Sequence, residues 1–257
     1  MANQLAEYDY ESGDVLMTKD IADMSAEVAS GRVDLVTTTL FEAISLIDAG
    51  VGELAAIKWK NGVSHYSSVI VTKHALDINS TADLVGKNIT FEDPNSASGF
   101  FLVYLALATE NHTLVEVTNE TMVSSSRIED GISFQFSYSN KNALEWLLNG
   151  KTDAIVVSDL DWQDIASDYS EEHNLKVIFN SELIPRGMEI VRANLPEPVK
   201  ETLIDSLHSM HLDSDAGETM SEYHQTTRLT RPTPSDTQLM EMYISQFRSV
   251  KSALSAW

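Results

Sequence analysis

The residues best suited to chemistry lie in the run Phe91-Glu92-Asp93-Pro94-Asn95-Ser96-Ala97-Ser98-Gly99-Phe100. A β-rich run ends at Phe91, a Pro-Asn-Ser turn follows, and an apolar helical pattern begins at Ser98. The first amides of a helix have no acceptor within it, and its dipole favours negative charge there, so such a junction can hold an anion. Ser96 and Ser98 add hydroxyl donors, and Gly99 permits close approach. The same residues also suit a plainer role, with Ser96 as a helix N-cap. A second junction has the same chemistry. Thr37-Thr38-Thr39 stands between the apolar run Val33 to Val36 and a helical segment from Leu40, and it too reads either as a cap or as a set of hydroxyl donors. Open α/β sheets bind ligands at the C-terminal ends of their strands, where both junctions fall.

Other chemistries find little support. With no cysteine in 257 residues, disulfides, thiol catalysis and cysteine-bound metals are excluded. The seven histidines show no metal-ligand spacing, His65 being the one placed to line a cleft, and no metal or cofactor is expected. P-loop, G-x-S-x-G and H-E-x-x-H patterns are missing. Trp59, Trp146 and Trp162 suit packing better than stacking on a ligand. The net charge of −22 repels nucleic acid and anionic membrane surfaces, so neither is an expected partner. The same charge disfavours anions at long range, so an anion site here must work through local donors.

The elements that would position these residues alternate. Strands are expected at Asp14 to Met17, Arg32 to Thr38, Leu54 to Trp59, Tyr66 to Thr72, Asn88 to Phe91, Ile132 to Phe136, Thr152 to Val157, Leu175 to Phe179 and Gly187 to Arg192. Helices are expected from Asp20 to Ser30, Leu40 to Leu46, Ser98 to Thr109, Asn142 to Leu148, Trp162 to Asp168, Pro196 to Met210 and Ser235 to Ser255. Strands alternating with helices imply parallel α/β sheets, and their number suits two small lobes. The chain is expected to cross near Tyr66 to Lys73 and again near Asn180 to Gly187. That gives a first lobe of residues 1–73 and 185–257 and a second of 74–184.

Four stretches together resemble the phosphonate/phosphite/phosphate-binding family of ABC-transporter substrate-binding proteins. They are KDIADMSAEVASGRVDLVTTTLFEA (Lys19 to Ala43), WKNGVSHYSSVIVTK (Trp59 to Lys73), DLVGKNITFEDPNSASG (Asp83 to Gly99) and FSYSNKNALEWLLNGKTDAIVVSDLDW (Phe136 to Trp162). The third is similar to the family pattern L-x-G-K…F-x-D-P-x-S-x-S-G. The resemblance implies a two-lobed, type II Venus-flytrap fold with parallel or mixed sheets and a small oxyanion held between the lobes. It implies ligand contacts from Thr39, from Tyr66 near the hinge, and from Ser96, Ala97, Ser98 and Gly99, with Ser139, Asn142 and Asp159 across the cleft. The chain departs from the pattern at Ala97, where the family often has threonine, and at Asn140 and Lys141, where some relatives carry histidine or acidic residues. Asp159 reads equally as a helix cap and as a partner for a ligand ammonium. Relatives begin with a strand and helix before the segment matching Val15, so an N-terminal truncation is expected.

The implied function is capture of phosphonate, phosphite or phosphate for a membrane ABC permease, by a non-catalytic monomer in the periplasm or outside the cell, with any signal peptide removed. A ligand-sensing domain of a signalling system and a phosphate-ester hydrolase are the other readings.

Overall fold

The computed structural model describes residues 5–8, 12–117, 128–212, 219–223 and 225–254. In chain order the strands are β1 (Leu35–Thr38), β2 (Gly52–Lys60), β3 (His65–Tyr66), β4 (Ser68–Lys73), β5 (Asn88–Phe91), β6 (Leu114–Glu116), β7 (Ile132–Phe136), β8 (Ala154–Ser158), β9 (Leu175–Asn180), β10 (Ile184–Pro185), β11 (Met188–Arg192) and β12 (Thr226–Thr230). The α-helices are α1 (Ile21–Ala29), α2 (Leu40–Asp48), α3 (Leu102–Thr109), α4 (Asn140–Leu148), α5 (Asp159–His173), α6 (Glu197–Ser209) and α7 (Pro234–Leu254). The chain divides into two units, Met1–His65 with Ile184–Ile244, and Tyr66–Leu183 with Ser245–Trp257. This partition differs from the sequence-based division at residues 66–73, because β4 hydrogen-bonds to β8 and β9 of the second unit. It also differs beyond Ile244, where the last turns of α7 fall in the second unit.

The first unit is built on a four-stranded sheet of order β1-β11-β2-β12, with each neighbour antiparallel. Parallel pairing, expected of both lobes, does not occur in this sheet. Ala55 and Ala56 of β2, Val191 of β11 and Leu229 of β12 form one core with Val199, Leu203 and Leu207 of α6. These α6 positions repeat every four residues, the spacing that puts side chains on one helical face. Asp20 caps α1 by accepting the Asp23 N–H at 2.8 Å. Asn61 and Gly62, both at positive φ, turn the chain after β2, as an Asn-Gly pair should.

The strand expected at Asp14 to Met17 is not formed. Residues 12–18 have no regular structure, and Val15 and Met17 are 91% and 86% exposed. A strand needs a neighbour to take its backbone hydrogen bonds, and among the described residues this stretch pairs with none. In the opposite direction, β12 was not apparent in the sequence: Thr226-Thr227-Arg228-Leu229-Thr230 is β-prone but mostly polar, and pairing with β2 makes it a strand.

The second unit carries a six-stranded mixed sheet of order β6-β7-β5-β8-β4-β9. Strands β6, β7, β5 and β8 run parallel, while β4 is antiparallel to both β8 and β9. Strands β7 and β8 are buried along their whole length, and β8 accordingly carries the continuous apolar run Ala154 to Val157. One core joins Val69, Val71, Ile155 and Val157 to Ala143, Leu144 and Leu147 of α4.

Candidate functional site

Three parallel strands, β5, β7 and β8, end side by side. Their C-terminal ends lead into Glu92–Gly99, Ser137–Asn142 and Ser158–Asp161. All but two of the predicted ligand residues therefore lie at one sheet edge. The loops are bonded to one another: the Ser137 N–H donates to the Phe91 carbonyl at 3.0 Å, and the Tyr138 N–H donates to the Glu92 carbonyl at 2.7 Å. From β4, the Ser68 hydroxyl donates to the Ser98 carbonyl. Beneath the first loop, Phe91 and Phe100 meet edge to face with ring centres 5.0 Å apart, and Phe134 and Phe136 complete the cluster. Packing on both flanks thus fixes the turn between β5 and the helix.

That helix opens with a π-turn over Ala97–Phe101, in which the Phe101 N–H reaches the Ser96 carbonyl at 3.0 Å, and continues as α3. Ser96 caps it: its Oγ accepts the Gly99 N–H at 2.9 Å. The cap and the anion cradle, alternatives in the sequence, thus occupy one place. Ala97 and Ser98 supply the first amides of the turn, which the helix itself leaves without acceptors, and both residues are buried.

Two features of this edge were not foreseen. Glu92, the residue after β5, is half-buried, and its Oε2 accepts the Ser96 hydroxyl proton at 2.8 Å. Burial raises the pKa of this carboxyl; the Ser96 hydrogen bond opposes that rise, and Asp161 and Asp93 add to it. Tyr138 is 70% exposed yet sits at φ 55°, a conformation uncommon for a bulky residue and one that concentrates at ligand sites. An acidic residue in the pattern F-x-D-P was the available signal for Glu92. Nothing in Ser-Tyr-Ser announces a left-handed backbone.

The remaining predicted residues have these settings. Ser139 precedes α4, and its carbonyl accepts the Ser137 hydroxyl at 3.0 Å. Asn142 is exposed, and its side-chain amide donates to the Ser137 carbonyl at 3.1 Å. Asp159 does not cap α5; Ser158 does, accepting the Asp161 N–H at 3.0 Å. The Asp159 carboxylate instead accepts the Ser67 N–H at 2.8 Å, at the start of β4. Tyr66 is half-buried and directly follows His65 at the first crossing of the chain. Thr39 lies in the first unit as the cap of α2, its N–H donating to the Glu42 carboxylate at 3.2 Å.

Close to Thr39 in sequence, Thr37 joins a buried charge cluster in the first unit. Lys58 Nζ lies 3.1 Å from Glu189 Oε1, and both side chains are almost wholly enclosed. The Thr37 hydroxyl lies 2.8 and 2.7 Å from the two Glu189 oxygens, and the Tyr223 ring lies 4.0 Å from the ammonium. Burial lowers the Lys58 pKa and raises that of Glu189, each against the pull of its partner. A cavity of about 230 Å³ beside Glu189 and Tyr223 is walled mainly by Leu35, Leu207, Met220 and Leu229, and no predicted ligand residue lines it. His65 also has a polar setting, with Nε2 2.7 Å from Asp236 and Nδ1 2.9 Å from Ser64 Oγ. Asp236 is also committed to Thr233, accepting its N–H and hydroxyl at 2.7 Å each. The cluster thereby fastens the start of α7.

Comparison with known proteins places the chain in a family. The sequence model of the family described as "ABC transporter, phosphonate, periplasmic substrate-binding protein" matches residues 3–237. The chain belongs to the phosphonate-binding family. Its members are periplasmic substrate-binding components of ABC transporters, not enzymes. The fold agrees. XAC2383 from Xanthomonas citri, solved with chloride ion and with ATP, superposes with a TM-score of 0.84 at 20% identity, over 98% of this chain and 90% of that one. PhnD1 from Prochlorococcus marinus, in complex with methylphosphonate, gives 0.60 at 13% identity, over 97% of this chain and 90% of that one. A binding-protein component of an ABC phosphonate transporter from Pseudomonas aeruginosa gives 0.55 at 18%, over 95% and 78%. A comparison with curated proteins finds no match. The fold is thus that of the two-lobed periplasmic binding proteins, with mixed sheets. Among the described residues, no helix is long and apolar enough to cross a membrane, and no group of three or more histidines and acids could hold a metal.

Proposed function

We propose that this phosphonate-binding family member captures a small phosphorus oxyanion at the edge formed by β5, β7 and β8, and delivers it, from outside the cytoplasm and as a monomer, to a membrane permease. The carrying observation is the convergence of Ser96–Gly99, Ser139, Asn142 and Asp159 at the C-terminal ends of adjoining parallel strands. Buried amides at the start of a helix, with serine hydroxyls beside them, supply hydrogen bonds to an oxyanion in a setting where water competes poorly. This local chemistry offsets the repulsion expected from a chain of net charge −22. Thr39 and Tyr66 are proposed to complete the ligand's contacts. Methylphosphonate, the ligand of the Prochlorococcus relative, is the first compound to test, with phosphite and phosphate beside it.

The experiment is a thermal-shift and calorimetric screen of these anions against the wild type and a Ser96→Ala/Ser98→Ala double variant. A ligand present at about 100 times its dissociation constant stabilises the wild type by about 2.7 kcal/mol. The double variant should show little or no shift. Equal affinity in the two proteins would remove Ser96 and Ser98 from the site.

A further inference from the structure

Ser96 has one hydroxyl proton, and it points at Glu92. Its oxygen accepts the Gly99 N–H at 2.9 Å while its proton goes to Glu92 Oε2 at 2.8 Å. With Glu92 ionised, the hydroxyl has no donor to offer a ligand, and a fixed negative charge already sits at the start of the helix, where an anion would gain most from the dipole. The arrangement is built into the backbone. Glu92 donates its N–H to the Gly99 carbonyl at 3.0 Å. A methyl group on Gly99 would lie 2.6 Å from Glu92 Cβ and 2.8 Å from Ser96 Oγ, so glycine is what admits the carboxylate.

We propose that Glu92 makes anion capture proton-linked: a fully ionised oxyanion enters this cradle together with one proton, and ligands bearing a proton of their own are preferred. The inference rests on reading Ser96–Gly99 as the ligand cradle. A proton on Glu92, or one carried in on the ligand and shared with it, removes the charge conflict. A protonated Glu92 also becomes a donor itself and releases the Ser96 hydroxyl toward the ligand. The groups around Glu92 favour that proton. Asp93 follows it in the chain, Asp161 faces it from the start of α5, and both are acidic. From the loop after β7, Tyr138 contributes a backbone N–H to the Glu92 carbonyl. Burial disfavours the ionised carboxylate as well.

The test is calorimetry of the full chain with methylphosphonate at about pH 9, where that ligand is fully ionised, and at lower pH, in two buffers of different ionisation heat. The buffer dependence counts protons taken up. The wild type should take up close to one proton per ligand at the alkaline end and lose affinity about tenfold per pH unit there. Glu92→Gln, an uncharged isostere, should take up none and bind more tightly than the wild type at that pH. No proton uptake by the wild type overturns the proposal, as does uptake that persists in a folded Glu92→Gln, or loss of binding in that variant. Should Glu92→Gln fail to fold, the wild-type proton count alone decides. Absence of binding by both folded proteins at every pH removes the cradle reading, and the inference with it.

Discussion

Gly99→Ala tests how tightly the cradle is assembled. In most helices the change would help, since alanine stabilises a helix interior by roughly 1 kcal/mol relative to glycine. Gly99 is not at positive φ, so the new side chain brings no backbone strain. The cost is steric. The added carbon would meet the Glu92 carboxylate oxygen, Glu92 Cβ at 2.6 Å and Ser96 Oγ at 2.8 Å. The carboxylate can swing aside, but Glu92 Cβ cannot, because the two backbones are held together by the Glu92 N–H bond to the Gly99 carbonyl. Separating them sacrifices that hydrogen bond, about 1 kcal/mol, and overpacking of this kind costs about 1–3 kcal/mol. After the helical gain is set against this, the expected loss is about 1–3 kcal/mol, together with a large loss of anion affinity as Ser96 is displaced. Urea denaturation followed by tryptophan fluorescence reads the loss through Trp146 and Trp162 of the second unit. Adding Glu92→Ala should recover only the part due to the carboxylate, and Glu92→Gly should recover more. A Gly99→Ala protein as stable as the wild type, or more so, would refute this account of the contact between β5 and its helix. Gly150→Ala is the contrasting control. Nothing lies within 4 Å of its added carbon, but φ is +71°, so its cost, about 1–2 kcal/mol, comes from conformation alone.

Two further outcomes concern the scaffold. Lys58→Met leaves Glu189 buried without its cation and should cost about 3–5 kcal/mol, whereas Lys58→Met with Glu189→Leu should recover most of that loss; denaturant midpoints of the three proteins check it, and additive losses would show that the pair is not coupled. Asp159→Ala strips the Ser67 N–H of its acceptor and should cost about 1–3 kcal/mol. Amide exchange at Ser67 should accelerate in this variant, and unchanged protection would mean that another group holds the start of β4.

Much of the second unit was legible in the sequence. Asn88–Phe91 and Ile132–Phe136 have the predicted bounds because β-branched and aromatic residues recur through them and turn residues bound them. The turn Asn61-Gly62 and the helix start at Ser96 follow from local stereochemistry, which a short window contains. The first unit was harder. Whether Val15, Leu16 and Met17 form a strand depends on a partner elsewhere in the chain, and none of the described residues provides one. The polar Thr226–Thr230 is a strand because β2 lies beside it. Direction of pairing was also outside local reach, and the antiparallel first sheet arises from where β11 and β12 return.

Sequence by itself determined which residues could hold an oxyanion and, through their spacing, the family to which the chain belongs. Hydroxyls, a glycine and a helix start are local features, and their order along the chain is enough to recognise. Only the tertiary structure decided where their hydrogen bonds go. Asp159 turned from a cap into the anchor of Ser67 because β4 lies beside β8. Ser96 turned from a free donor into one shared with Glu92 because the bare Cα of Gly99 lets a carboxylate approach. A hydroxyl has a single proton to give, and which neighbour receives it is set by packing in three dimensions.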